Sequence, residues 1–453
     1  MIEKKEYIKK LHSYLIKYVA SDPTPGEEAL YKPVDIYDVP RKEADEYKYK
    51  SIKSIFKYHY ENNSFYHNYC KENNVTPDDI KSIDDFSKIP LIEDKFFKSY
   101  PEGREFAMWL ATLYTGDLPN IVIKKNDKHD DIIKKFQDAG LVITYSSGTS
   151  GRHTFIPRDR RTFNAAEYAI AKSAITMLYP EWDHDFYGYL LMPHPFKTNV
   201  FAGKVCGMYF DVIKDVKVAL ERELSADLIQ QAMQTNLKGR MIRYAMQRET
   251  NKIIDRIIKW LREHDKKGDK ISFIGAPFLL YFVMEKLEKD GEYFNFGKKG
   301  AIVTGGGWKI YEDKRISTED FRKKVEEILG IPQELCLDLY GMVEGNGWMT
   351  QCPEGHYLHI PNTYCHARVI DENGEDVAYG EKGRFAFLVG LANSYPGFII
   401  SGDEVRMYEE CPVCHRSTPV LAPEVKRAKG SEMRGCAEEM RRVLSMDMGG
   451  KDA

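Results

Sequence analysis

Three apolar runs in this chain end in glycine-containing loops, and this arrangement narrows the available folds more than any other feature. Leu141, Val142 and Ile143 lead into Thr144-Tyr145-Ser146-Ser147-Gly148-Thr149-Ser150-Gly151-Arg152. Ala301, Ile302 and Val303 lead into Thr304-Gly305-Gly306-Gly307-Trp308-Lys309, and the run from Leu335 to Leu339 leads into Tyr340-Gly341-Met342-Val343-Glu344. Open α/β sheets hold their ligands at such places, beyond the carboxyl edge of the strands. The first loop has the chemistry of a polyanion cradle. Hydroxyls of Ser146, Ser147, Thr149 and Ser150, and backbone N–H groups freed by Gly148 and Gly151, can donate to phosphate. It lacks the Gly-Lys-Ser/Thr ending of a Walker A loop, which excludes a P-loop NTPase. An ordinary polar loop is the alternative reading.

The rest of the chain supports a layered α/β architecture. Ile8, Leu11, Leu15 and Tyr18 recur at helical spacing in a Lys- and Tyr-rich first segment, so helices are expected over residues 1–140. Between Leu141 and Gln333, strand-like runs (Tyr189 to Met192, Ile271 to Ile274) alternate with helical stretches (Ile253 to His264, Pro277 to Lys289), the pattern of a mainly parallel sheet. From Tyr357 onward, strand-like runs flank Asp371-Glu372-Asn373-Gly374, a hairpin signal, and Arg384 to Val389 follows as a strand.

Composition excludes several classes. A net charge of −3 over 453 residues, with acidic and basic side chains intermixed, argues against a nucleic-acid or anionic-membrane partner held by bulk attraction. No apolar run reaches the roughly 18 residues a membrane span needs, and the Lys-rich start carries Glu3 and Glu6, unlike a signal peptide. The expected location is cytoplasmic. Eight scattered cysteines do not read as a disulfide framework, which leaves reduced thiols or a metal site.

Cys352-x-x-x-His356 and Cys411-x-x-Cys414 form two such pairs on either side of the β-rich segment. Together they could supply four tetrahedral ligands to a structural Zn²⁺ ion, with no open position for catalysis. Surface thiols without a metal are the alternative. Cys436 differs from the rest. It follows Gly435 and precedes a helical pattern from Ala437 to Leu444, where a helix N-terminus and Arg434 would lower the pKa of its thiol.

The ordered series Ser-Ser-Gly-Thr-Ser-Gly, Gly-Gly-Gly-Trp-Lys, Tyr-Gly-Met-x-Glu and Ser401-Gly402-Asp403 resembles the adenylate-forming superfamily of acyl-CoA synthetases, luciferases and adenylation domains. Within it, Gly-Gly-Trp-Lys and the Cys-rich segment before Arg416 are similar to the LuxE-type acyl-protein synthetases and the phenylacetate-CoA ligases. The resemblance implies an α/β fold: a large adenylate-forming N-terminal domain of layered sheets and helices, a small β-rich subdomain, and a C-terminal cap domain that is truncated. The organisation expected is a helical region at 1–140, a nucleotide-binding core at 141–333, a β-rich subdomain with the zinc site at 334–416 and a short tail at 417–453.

By the same resemblance, the residues from Ser146 to Gly151 would cradle ATP and Arg152 would screen the leaving pyrophosphate, where the family often has Lys. Glu344 would hold Mg²⁺ through a hard carboxylate oxygen, and Tyr340 and Gly341 would lie near adenine. Gly305, Gly306 and Gly307 would let the backbone approach the base. Asp403 would accept the ribose hydroxyls and Arg416 would contact ribose or phosphate. His194, ending a strand-like run, could equally be a packed turn residue. The tail is too short for a cap of about 100 residues, so Lys426 and Lys429 are only stand-ins for its catalytic lysine. The expected activity is ATP-dependent conversion of a carboxylic acid, fatty by resemblance, to an acyl-adenylate, then transfer to the thiol of Cys436. A partner reductase or carrier protein would then receive the acyl group. Two alternatives stand beside it: a CoA ligase whose acceptor is free CoA, and a nucleotide-binding scaffold without catalysis.

Overall fold

The computed structural model describes residues 4–146, 153–179, 181–221, 231, 234, 236–308, 311 and 314–428. The strands in chain order are β1 (Ile92–Glu93), β2 (Val142–Tyr145), β3 (Phe155–Arg158), β4 (Tyr187–Pro193), β5 (Asp215–Leu220), β6 (Ile271–Gly275), β7 (Gly300–Gly305), β8 (Cys336–Tyr340), β9 (Met349–Gln351), β10 (Leu358–His359), β11 (Cys365–Ile370), β12 (Lys382–Val389), β13 (Phe398–Tyr408), β14 (Val420–Leu421) and β15 (Lys426–Arg427). Among the described residues, thirteen of them form one sheet whose main path runs β11-β12-β13-β14-β10-β9-β8-β7-β6-β4-β5, with β1 and β15 also paired to β13. The strands β5, β4, β6, β7 and β8 are mutually parallel, and the pairing turns antiparallel from β8 to β9. The fold is α/β.

Parallel neighbours need crossover helices, and the sequence marks their ends. Asn236 caps the helix Leu237–Lys267, accepting from Gly239 N at 2.8 Å, and that helix joins β5 to β6. The helix Pro277–Asp290, with proline in its first turn, joins β6 to β7. Ser317 caps Thr318–Leu329, which joins β7 to β8, and Gly330 ends it at φ 64°, a left-handed conformation open to glycine at little cost. Both faces of these strands are covered, so Ala301, Ile302 and Val303 of β7 are all almost wholly buried. The carboxyl ends of the parallel strands consequently share one edge.

The N-terminal residues are mainly helical, with Ile8, Leu11, Leu15 and Tyr18 buried. The helix Arg41–Asn62 packs on the β11–β13 region: Phe56 and Phe398 rings meet at 6.0 Å, and His59 Nε2 lies 2.8 Å from the Ala392 carbonyl. Strand β1 lies parallel to β13, pairing Glu93 with Ile400, so the short helix Asp94–Lys98 begins beside the middle of β13. The strands after β8 continue the same sheet through β9, β10 and β14 to β13. Among the described residues, no helix is long and apolar enough to cross a membrane.

Candidate active site

The strands that flank the hydroxylated segment, β2 and β3, form an antiparallel pair apart from the main sheet. Strands β2 and β3 pair Tyr145 with Phe155, and Ser146 closes the loop's base. Its N–H donates to the Thr154 carbonyl at 2.9 Å, its Oγ accepts from Thr154 N at 2.9 Å, and its carbonyl lies 2.6 Å from His153 Nδ1. Ser147, Gly148, Thr149, Ser150, Gly151 and Arg152 lie outside the described residues, as do Lys309, Lys429 and Cys436.

At the carboxyl edge of the sheet, the other expected positions converge. Gly305 ends β7 opposite Leu339, and a methyl group on Gly305 would lie 3.3 Å from the Leu339 carbonyl. Gly306 and Gly307 follow at φ 81° and 68°, where a side chain would be strained. Tyr340 ends β8. Its hydroxyl donates to Asp403 Oδ2 at 2.7 Å. Burial first, then the charge of Asp403, pushes the Tyr340 phenol well above its ordinary value and keeps that proton in place. Gly341 is required by packing, since a Cβ there would sit 2.4 Å from the Trp348 ring.

Glu344 lies in the loop after β8 and is buried. Desolvation pushes its carboxyl up from the ordinary value, while the Lys98 charge and a hydrogen bond from Thr154 pull it down. No basic side chain among the described residues lies within ion-pair distance of it. A buried carboxylate with no ion pair among the described residues, though Lys98 and Arg158 act on it through space, fits a hard divalent ion. Through Thr154, it also touches the base of the hydroxylated loop.

Four residues at this edge were not singled out from the sequence. Arg427 on β15 stands opposite Asp403 in the register, with Nη1 3.2 Å from Asp403 Oδ1. Asp94 and Lys98 form an ion pair at 2.6 Å, and a methyl group on Gly402 would meet Asp94 Oδ2 at 2.9 Å and Arg427 Nη1 at 3.1 Å. Thr154 completes the set. Only the i,i+4 spacing of Asp94 and Lys98 is visible locally; their place beside Asp403 follows from the β1–β13 pairing.

Arg416 is elsewhere. It forms a two-pronged pair with Glu354, at 2.7 and 2.9 Å, and donates to Cys414. The expectation that it reaches ribose is corrected: the turn after β13 carries Arg416 into the cysteine cluster, and the return strand β15 places Arg427 at Asp403. His194 also stands apart, accepting from Phe196 N at 3.4 Å with Glu221 at 3.9 Å. Lys426 is next to Glu424, at 3.9 Å.

The cysteine cluster contains three of the four expected ligands. Donor atoms of Cys352, His359, Cys411 and Cys414 all lie within 4.8 Å of one another, with Cys352 and Cys411 Sγ atoms 3.9 Å apart. Tetrahedral zinc with Zn–S bonds of about 2.3 Å separates its sulfurs by about 3.8 Å, so the donor set fits. The histidine is His359 rather than His356. His356 sits at φ 56° in the turn that reverses the chain after Cys352, and its Nδ1 is buried without a hydrogen-bond partner. His359 lies on β10, its Nε2 3.2 Å from Cys414 Sγ and its Nδ1 2.7 Å from Thr418 Oγ1, a contact that orients the ring with Nε2 toward the cysteines. The Cys352 hydrogen bond, then His359, holds the Cys414 thiol far below its ordinary value.

The acyl-protein synthetase LuxE family matches residues 227–445. The long-chain-fatty-acid–luciferin-component ligase of Vibrio harveyi is 24% identical over 399 residues, covering 87% of each chain. The protein of the same name from Aliivibrio fischeri is 24% identical over 411 residues, covering 90% of this chain and 91% of its own. The chain is thus similar to LuxE-type acyl-protein synthetases. Its fold agrees: an open conformation of 2-hydroxyisobutyryl-CoA ligase, in complex with 2-HIB-AMP and CoA, superposes with a TM-score of 0.57 at 14% identity, over 86% of this chain and 71% of that one. These similarities support an ATP-dependent, AMP-forming acid–thiol ligase.

Proposed function

We propose that this ligase activates a fatty acid at the edge formed by Gly305–Gly307, Tyr340, Glu344 and Asp403, and passes the acyl group to its own Cys436. The observation that carries the nucleotide half is the Tyr340–Asp403 hydrogen bond, which joins the ends of two expected motifs 63 residues apart. Asp403 has carboxylate oxygens for the ribose hydroxyls, with Arg427 and Tyr340 holding its orientation. Glu344 would hold Mg²⁺, which supplies charge neutralisation on the triphosphate. Ser146 with residues 147–152 would cradle the phosphates.

Two balanced steps follow. A substrate carboxylate oxygen attacks the α-phosphorus of ATP, and the bond to pyrophosphate breaks. The Cys436 thiolate then attacks the acyl carbon and AMP leaves, since a thiolate is a good nucleophile toward a mixed anhydride. A zinc ion held by Cys352, His359, Cys411 and Cys414 would be structural, because four protein ligands leave no open position. We place the reaction in the cytoplasm, with a reductase or carrier protein as the final acyl acceptor.

The test is pyrophosphate exchange into ATP, with labelled tetradecanoate, followed by mapping of the hydroxylamine-labile label. The expected result is exchange that requires the acid, a label on Cys436, and a Cys436→Ala variant that keeps exchange but loses the label. Exchange absent across a broad acid panel overturns the reading in favour of a scaffold. CoA-dependent turnover undiminished in Cys436→Ala moves the acceptor to CoA.

A further inference from the structure

Arg158, the last residue of β3, is 0% exposed, although a buried guanidinium loses its hydration and ordinarily needs an anionic partner. Here its hydrogen-bond partners are all neutral oxygens, while the charge of the Glu344 carboxylate acts on it through space. Nε lies 3.1 Å from Asn346 Oδ1 and Nη1 2.7 Å from Thr144 Oγ1, while Nη2 donates to the Val343 carbonyl and lies 3.4 Å from the Gly345 carbonyl and 3.2 Å from the Tyr395 hydroxyl. Phe201 and Tyr395 rings flank it, their centroids 4.5 and 4.9 Å from the guanidinium carbon. Burial lowers its pKa, yet each of its three nitrogens donates to an oxygen.

Those partners share one geometric meaning. Thr144 lies on β2, two residues before Ser146, so it belongs to the stem of the hydroxylated loop. Val343 and Gly345 flank Glu344. The remaining carbonyl, that of Glu344 itself, accepts from Tyr395 at 2.9 Å. Asn346 is in turn tied to the carbonyls of Thr162 and Leu391, both at 3.0 Å. Every backbone carbonyl from Val343 to Gly345 therefore accepts from Arg158 or Tyr395.

We propose that Arg158 is a positioning residue, which with Tyr395 fixes the Glu344 carboxylate beside Thr154 and so sets the affinity of the site for its divalent cation. This rests on the reading of Glu344 given above. A planar fork can reach two carbonyls, two hydroxyls and an amide oxygen at once; a lysine ammonium cannot. Residues that orient a metal ligand typically change metal affinity by about tenfold or more when replaced.

The experiment uses the full-length chain with Mn²⁺ and a non-hydrolysable ATP analogue, with bound Mn²⁺ read by electron paramagnetic resonance and folding by thermal unfolding. Tyr395→Phe keeps the ring under the guanidinium and removes the hydroxyl; Arg158→Lys keeps the charge and removes the fork. Both are expected to weaken Mn²⁺ binding by about tenfold or more in the folded protein while leaving metal-free binding of the analogue unchanged. A merely structural role would lower the unfolding temperature and leave the Mn²⁺ affinity of the folded fraction as it was. Wild-type affinity in folded Tyr395→Phe overturns the proposal, whether or not Arg158→Lys folds. Glu344→Gln is measured beside them: undiminished Mn²⁺ binding there removes the role of Glu344 and this proposal with it, whereas impaired Glu344→Gln with normal Tyr395→Phe removes the proposal alone.

Discussion

Tyr340 and Asp403, at the ends of separate motifs, meet at 2.7 Å, and Arg427 holds the other carboxylate oxygen at 3.2 Å. Asp403 is thereby aimed by two groups, leaving its lone pairs directed to the sheet edge. A charge-assisted hydrogen bond contributes about 1.5–3 kcal/mol, or roughly 10- to 100-fold in affinity. Asp403→Asn is expected to raise KM for ATP in acid-dependent pyrophosphate exchange by about that factor. Tyr340→Phe, which removes only an orienting bond, should raise it less. An Asp403→Asn enzyme with unaltered KM would place ribose elsewhere.

The cysteine cluster separates two histidines three residues apart. His359→Ala is expected to lose zinc, measured as metal per chain by mass spectrometry, and to unfold at lower temperature. His356→Ala should retain the metal, because His356 lies outside the donor set. Retained zinc in His359→Ala together with loss in His356→Ala would reverse the assignment.

Local patterns carried the architecture and one wall of the site. Apolar runs marked β4, β6, β7 and β8, and helical spacing marked two of the crossover helices, because periodicity is written in neighbouring residues. Tyr340 and Asp403 were legible for the same reason, each sitting in a short ordered motif. Arg427, Asp94 and Lys98 were not. Their contacts with Asp403 and Gly402 depend on which strands lie beside β13, and the pairing of β1 and β15 with β13 spans hundreds of residues in one case and a Cys-rich turn in the other. The histidine of the cysteine cluster was missed by three positions because spacing alone does not reveal the left-handed residue at 356 that takes its side chain out of the cluster. Arg416 misled in the same way: it follows a motif in sequence, while its guanidinium is claimed by Glu354.

Gly341 supports the site by packing. A Cβ at Gly341 would fall 2.4 Å from Trp348 Cε3, whereas one at Gly345 would make ordinary contacts at 3.5 Å with Phe387. Overpacking of this kind costs about 1–3 kcal/mol. Gly341→Ala is expected to unfold at correspondingly lower denaturant concentration, with Gly345→Ala close to wild type. Equal midpoints for the two variants would show that Trp348 moves aside freely.

Glu167, within the helix Arg160–Leu178, is 6% exposed, and burial raises its pKa to about 8 despite nearby Arg160, Lys17 and Lys204. A carboxyl that titrates near 4.5 when unfolded and near 8 when folded binds more protons in the native state between those values. Its contribution to stability is therefore complete below about pH 4.5 and is lost as pH rises through 8. Other buried groups tilt the absolute curve the opposite way: His59 and His366, held neutral with pKa values near 3, favour the native state as pH rises toward neutrality. The difference between wild type and Glu167→Gln cancels them. Glu167→Gln should unfold near the wild-type temperature at pH 5 and increasingly above it toward pH 8, where wild type must either keep the proton or bury a charge. A temperature difference that stays constant over that range would mean that Glu167 is ionised in the folded chain throughout, paired to one of the three cations around it.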